Sequence, residues 1–414
     1  MTWQDHTEVA AEADMTLFQS HPGTNWLDDI SVELLENDPY PVFERLRREA
    51  PIAWIPALQA YVGSTWKECW EIASDFTNFG GTTDPANEHV FGQPNILSVD
   101  GDVHAGLRAM IDPQLRPRAV RAYIEDLVRP IVRRYLSQLP DSGSVELMST
   151  YFEPISVRSL GDLLGFKDVE SDTLRHWFHD LSTGFANKAL HPEGFAVSDA
   201  VTVEIKAVVD EKLERLAREP DDSSLSHWLH DGMPEGQTRS PDYIYPTLFV
   251  ILLGGQQEPG HGAGSTLLGL LSQPEQLRRV AADRTLVPKA VNEGLRWCSP
   301  IWTTLGRSPF QDVERAGVKI PAGGHILLAY GSANRDETEF ERADMFDIDR
   351  PQHPHMAFGT GKHACAGSSF APNVIRIALE ELLEAHPTME LDRDKESPQW
   401  GWIFRGPKAL HVRW

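Results

Sequence analysis

Apolar residues along most of this chain recur every three or four positions. From Ile124 the spacing Leu127, Val128, Ile131, Tyr135 is the i, i+3, i+4, i+7 stripe of an amphipathic helix. Similar stripes run through 156–165, 200–217, 243–271, 275–281, 286–297 and 370–385, and Trp26 to Ala50 opens helically with Ile30, Leu34, Leu35, Val42, Phe43 and Leu46. Strand-like runs are short and few. Ile52–Ile55 and Ala60–Val62, parted by Pro56, suit a hairpin, while Val318–Ile320 and His325–Ala329 flank the turn Pro321-Ala322-Gly323-Gly324. The pattern predicts a mainly α fold with minor β at both ends. No Gly-, Ser- or Pro-rich linker divides the helices and no long repeat is present, so residues 26–414 read as one domain behind an aperiodic acidic tail over 1–25.

Composition narrows the classes. The chain has 414 residues, 41% of them hydrophobic and 24% charged, which excludes disordered and fibrous readings. A net charge of −23 repels phosphate backbones and anionic lipid, so no nucleic acid and no membrane partner is expected. Three widely separated cysteines (Cys69, Cys298, Cys365) suit a reducing compartment. Up to Glu44 there are ten acidic residues and no Lys or Arg, the reverse of a signal peptide. The best apolar run, Thr247 to Gly255, has nine residues, short of the roughly 18 a membrane span needs. A cytoplasmic protein is expected.

The chemistry concentrates at Phe358-Gly359-Thr360-Gly361-Lys362-His363-Ala364-Cys365-Ala366-Gly367. Three glycines around one cysteine permit a tight loop that presses backbone against a flat partner. The loop feeds a helical stripe whose N-terminus would stabilise an anionic sulfur, so Cys365 reads as a thiolate. A zinc set of His353, His355, His363 and Cys365 is the rival; Pro354 and the wide His355–His363 gap argue against it. The echoing His176-Trp177-Phe178-His179 and His227-Trp228-Leu229-His230 are weak as metal pairs. Glu293 and Arg296 stand three apart on one helix face, and His104 and Arg108 stand four apart within Asp100–Arg108, two donors suited to a carboxylate pair. Arg307 follows Pro300; Ala333-Asn334-Arg335-Asp336 and Phe346-Asp347-Ile348-Asp349-Arg350 precede the cysteine loop.

In this order and at these separations the elements resemble the cytochrome P450 monooxygenases across at least residues 28–414. The resemblance implies the cytochrome P450 fold, a single large haem-binding domain, and haem b ligated through iron by Cys365, with Phe358 packed on the sulfur and Gly359 in the binding loop. It implies that His104, Arg108, Arg307 and His363 hold the propionates. Glu293 and Arg296, locked to the Arg335/Arg350 region, would be structural. A thiolate ligand pushes electron density onto iron and favours O–O cleavage. One departure stands out. Where the family has a small residue, Gly, any residue, an acid and Thr, this chain has Gly255-Gln256-Gln257-Glu258-Pro259. Pro259 lacks an N–H and clashes with the Gly255 carbonyl, so a kink with a polar groove is expected, and Glu258 becomes the candidate proton donor. The alternative is that Pro259 merely starts a new helix.

That departure, with Tyr243–Thr247, Asp231–Pro234 and Trp400–Pro407, resembles the bacterial guaiacol and alkylguaiacol aryl O-demethylases. This implies a small apolar pocket of Phe91, Phe185, Val250, Leu253, Gly254, Ile301, Thr304 and Phe404, holding a methoxylated phenol that O₂ and two electrons convert to a catechol and formaldehyde. A separate reductase carrying FAD and an iron–sulfur cluster, fed by NADH, is implied too; this chain has neither a Gly-x-Gly-x-x-Gly after a strand nor a cysteine cluster. Seven arginines against three acids in 108–134, near Lys362 and Arg376, suggest its docking face. A peroxide-driven peroxygenase and a non-catalytic haem sensor are the alternatives.

Overall fold

The structure, a computed structural model, describes residues 25–81, 84–187, 190–304 and 306–414. The acidic tail expected over 1–25 lies outside them except for Asn25. Helices dominate and fall into two packed groups. In the first, Pro117–Leu136, Glu258–Leu271, Val287–Trp297 and Phe370–Ala385 enclose one large apolar core. In the second, Ser171–Phe185, Pro192–Leu216 and Pro241–Gln256 enclose another. The Glu258–Leu271 helix is buried almost all round, as its unbroken apolar and small residues require. Gly262, Gly264 and Gly269 let neighbours come close; a Cβ on Gly269 would lie 2.2 Å from the Phe346 ring.

The predicted stripes emerge as helices, Glu153–Leu164 and Pro274–Ala282 among them. Ser171–Phe185 lay outside the predicted stripes, although Leu174, Trp177, Phe178, Leu181 and Phe185 bury one face. The short helices Trp66–Ser74, Pro85–Phe91 and Ser224–His230 also escape periodicity. Asp84 caps the second of these by accepting from Ala86 N and Asn87 N, which fixes the helix that ends in Phe91.

Sheet is minor. Ile52–Ile55 and Ala60–Gly63 form the expected antiparallel hairpin, Ile52 opposite Gly63. The segments around Pro321–Gly324, by contrast, do not pair with each other. Val318–Ile320 pairs with Val313–Arg315, and Ile326–Leu328 runs parallel to Ala60–Gly63 with Tyr61 opposite Ile326. The Pro-Ala-Gly-Gly turn therefore passes the chain between two sheets, because the apolar Ile326–Leu328 finds a more buried partner far away in sequence.

The helical run 243–271 breaks where Pro259 demands it. One helix ends at Gln256, Gln257 is the junction, and Pro259 sits in the first turn of the next. Both readings of Pro259 therefore describe one feature: the old helix stops and a new one starts. The Gln256 carbonyl, released from the ladder, accepts from the buried Ser156 hydroxyl of the neighbouring helix.

Candidate active site

The Cys365 loop hangs between the two cores, with Phe358 packed on the first and Ala366 on the second. Gly359 and Gly361 take left-handed backbone at φ +64 and +74, open to glycine at little cost. At Gly361 a Cβ would also lie 2.7 Å from the Phe76 ring. Cys365 N donates to Phe358 O at 2.9 Å and Ala364 N to Gly361 O at 3.1 Å, closing the loop on itself. Cys365 has accessible surface yet sits deep among protein atoms, as a residue lining an internal cleft does. Burial pushes its thiol up, against the Gly367 N–H and Arg108; Glu258 pushes the same way as burial, so the two groups share an electrostatic environment. The helix N-terminus supplies less than the sequence implied. A 3₁₀ turn, Ala366–Ser368, follows the sulfur and the α-helix begins only at Phe370. A metal ion ligated by the sulfur would supply the remaining push toward the thiolate.

Beside the loop the sequence-predicted donors converge. The His104 and His363 rings lie 4.2 Å apart between centroids. Burial, with His363 and Arg108, lowers His104 to about 4, so it is neutral, and its buried Nε2 has no partner. Arg307 donates from Nη1 to Gly306 O, while its buried Nε is also unpartnered. The other two donors are engaged within the protein. Arg108 holds Asp112 and donates to Ala364 O at 2.6 Å, bracing the cysteine loop. His363 Nε2 meets Asp100 Oδ1 at 2.9 Å, and the other Asp100 oxygen accepts from Gly81 N. Asp100 thus joins the site as the partner of His363, a role that no local pattern encodes.

Across the cleft stands the helix break. Gly254 is exposed to the cleft, and a Cβ there would meet nothing within 4 Å; Gly255 faces Leu160 instead. Glu258 is 8% exposed and neither carboxylate oxygen has a hydrogen-bond partner. Burial raises it to about 7, opposed by the backbone N–H groups of Glu258 and Gln257. A buried acid poised near neutrality is suited to proton transfer.

Three phenylalanines from distant segments meet in the second core. Phe91 and Phe185 lie 6.0 Å apart and Phe185 and Phe404 5.8 Å apart, each pair tilted by just over 40°. Val250 and Leu253 belong to the same apolar cluster. Ile301 bridges Phe404 through the backbone, and Thr304 spends its hydroxyl accepting from Gly306 N and Leu328 N.

The remaining candidates separate cleanly. Arg296 grips Glu293 with two bonds of 2.6 and 2.8 Å, and Arg350 reaches the same carboxylate at 3.2 Å. Arg335 does not join them; it donates to Trp297 O and lies over Tyr40. The histidines proposed for zinc point to different partners, His353 to Glu339 and His363 to Asp100, and among the described residues no group of three or more His, Cys, Asp or Glu side chains is placed to hold a metal ion. His176 pairs with Asp180 and Glu204, and His227 with Asp231, as surface bridges.

Comparison with known proteins agrees with this geometry. The sequence model of the family described as Cytochrome P450 matches residues 278–409. Cytochrome P450 107B1 of Saccharopolyspora erythraea is 29% identical over 77% of both chains, and the cytochrome P450 monooxygenase PikC of Streptomyces venezuelae 26% identical over 91% of both. Among solved structures, P450BioI in complex with a hexadec-9Z-enoic acid ligated acyl carrier protein superposes with a TM-score of 0.83 at 25% identity, covering 93% of this chain and all of that one. The chain has the cytochrome P450 fold and is similar in sequence to cytochrome P450 monooxygenases, a fold that binds haem. The residues fit the group: an accessible sulfur to ligate iron, and buried, unpartnered nitrogens on His104 and Arg307 for its carboxylates. Among the described residues no helix is long and apolar enough to cross a membrane.

Proposed function

We propose that this monooxygenase removes the methyl group from small methoxylated phenols, guaiacol or a 4-alkylguaiacol, releasing the catechol and formaldehyde. The observation that carries the reading is the meeting of Phe91, Phe185 and Phe404 in one apolar cluster with Val250 and Leu253. Aromatic pairs at such separations and tilts favour a flat aromatic guest edge to face. Haem held by Cys365 supplies the activation of O₂; with two electrons and two protons, one oxygen atom enters the methyl C–H bond and the other leaves as water. The hydroxymethyl ether then breaks its C–O bond to give the two products.

The chain's own residues bind, orient and deliver protons. The phenylalanines, Val250 and Leu253 exclude water and fix the ring plane, Ile301 and Thr304 close the side next to Phe404, and Gly254 leaves room for the methoxy group. Gly255 and Pro259 hold the helix open so that Glu258, half-protonated near neutral pH, delivers a proton from its Oε. His104 and Arg307 hold the haem carboxylates, with Arg108 and His363 bracing the loop. Electrons come from a separate flavin and iron–sulfur reductase oxidising NADH. Its docking face is smaller than the run of arginines suggests. Arg129, Arg133 and Arg376 are bound to Glu125, Glu380 and Glu381, and Arg108 to Asp112, leaving Arg116, Arg118, Arg121, Arg134 and Lys362 exposed outside these pairs.

Optical titration tests the substrate class. Guaiacol and its 4-alkyl derivatives should convert the haem-loaded protein from low to high spin, and Phe185→Ala should weaken that binding by about tenfold or more, the usual cost of losing an aromatic contact. A spin shift driven by steroids or macrolides and absent with methoxyphenols would overturn the reading.

A further inference from the structure

The polar groups left unsatisfied around the helix break extend beyond Glu258. Within two turns the Gln256 amide, both Glu258 oxygens and His261 Nδ1 are buried without partners. Buried orphans cost stability, and packing alone gives no reason to collect them in one place. His261 is three residues beyond Glu258, so their side chains leave neighbouring positions on one helix face. The fold also takes care over the imidazole ring. It rests on Gly406 of the C-terminal hairpin, where a Cβ would come within 2.6 Å of its Cγ and 2.9 Å of its Cδ2. The residue as a whole is only half-buried although its Nδ1 is sealed, so the ring spans from the dry interior to accessible space. On the other side of the turn Gly260 abuts the backbone of Phe152 and Glu153, which pins the helix against rotation.

We propose that His261 is a proton-relay residue that reloads Glu258, passing protons from solvent to its carboxylate across one helical turn. The inference rests on Glu258 being the proton donor. Nδ1 and the carboxylate are not bonded to each other, so in the step the Nδ1 proton reaches a Glu258 oxygen through an intervening water while Nε2 takes a proton from solvent, where the hydroxide left behind is neutralised; no electron moves, and a turn of the ring about Cβ–Cγ restores the Nδ1–H tautomer. The ring works in its neutral form, since burial lowers it to about 4 with no charged neighbour contributing. Pro259 offers neither a hydroxyl nor an N–H at the break, so any proton passed along this helix must use another group.

The test uses haem-loaded protein and the variants His261→Phe, His261→Asn and Glu258→Gln, with the double variant Glu258→Gln/His261→Phe. The infrared band lost in Glu258→Gln identifies the Glu258 carboxyl, and its exchange after mixing with D₂O is timed in resting enzyme. Exchange should slow by about tenfold or more in both His261 variants, and product formed per NADH should fall in both. The double variant should be no worse than Glu258→Gln alone, because two groups on one path fail once. Carboxyl exchange as fast as the parent's in both His261 variants, with Glu258→Gln still uncoupled, would overturn the relay and leave Glu258 as the donor. Unchanged coupling in Glu258→Gln would sink both readings together.

Discussion

Glu258 is a group that the fold keeps at the expense of its own stability. Burial raises its pKa from 4.5 to about 7, so between those values the folded chain holds a proton that the unfolded chain has lost. Stability from this group is therefore intact below pH 4.5, falls as pH rises through the window, and is constant above it. Glu258→Gln should unfold like the parent near pH 4 and be more stable at pH 8 by up to about 3 kcal/mol, checked by urea unfolding at both pH values. Cys365 gives the sharpest spectroscopic prediction. The reduced carbon-monoxide adduct should show the strongly red-shifted Soret band of thiolate ligation, and Cys365→Ala should lose it; a retained band would remove Cys365 as ligand. At this scale the sequence carried much of the site, because the Cys365 loop and the His104/Arg108 pair are local patterns. Asp100 on His363 and Ser156 on Gln256 were out of reach, since those bonds join positions 263 and 100 residues apart.

Among the elements, the interrupted helix matters most. Pro259 dictates the break from the sequence alone, whereas the cap on the freed Gln256 carbonyl depends on the Glu153–Leu164 helix packing alongside. Ser156→Ala should leave that carbonyl buried and unbonded, lowering stability by about 1–3 kcal/mol with little change in substrate affinity, measurable by chemical unfolding and optical titration. Most long helices were legible because apolar residues repeat through several turns; Gly101–Leu115 was not, since only Leu107, Met110 and Ile111 among its apolar residues are buried and Gly106 and Pro113 interrupt the stripe. Ser171–Phe185 follows the same rule, but His176, His179 and Asp180 on its outer face imitate a metal motif and mask it. Seven-residue helices offer too few turns for a period, and nothing local to Ile326–Leu328 specifies Ala60–Gly63 as its partner.

For the molecule as a whole, the charge of −23 sets the background against which a small basic face acts. The sequence counted arginines, but only packing shows that Glu125, Glu380 and Glu381 neutralise several of them. If Arg116, Arg118 and Arg121 dock the reductase, Arg118→Glu/Arg121→Glu should cut reductase-coupled turnover while the dissociation constant for substrate stays put. Added salt should do the same to the parent, as exposed charges are screened beyond about 8 Å at physiological ionic strength. The central claim, an aryl O-demethylase built on the cytochrome P450 fold, is tested most directly by its stoichiometry. With guaiacol, NADH and a reductase, formaldehyde and catechol should appear in equal amounts, each tracking NADH consumed. NADH oxidation that yields peroxide without formaldehyde, or a ring-hydroxylated product that keeps its methoxy group, would contradict the account.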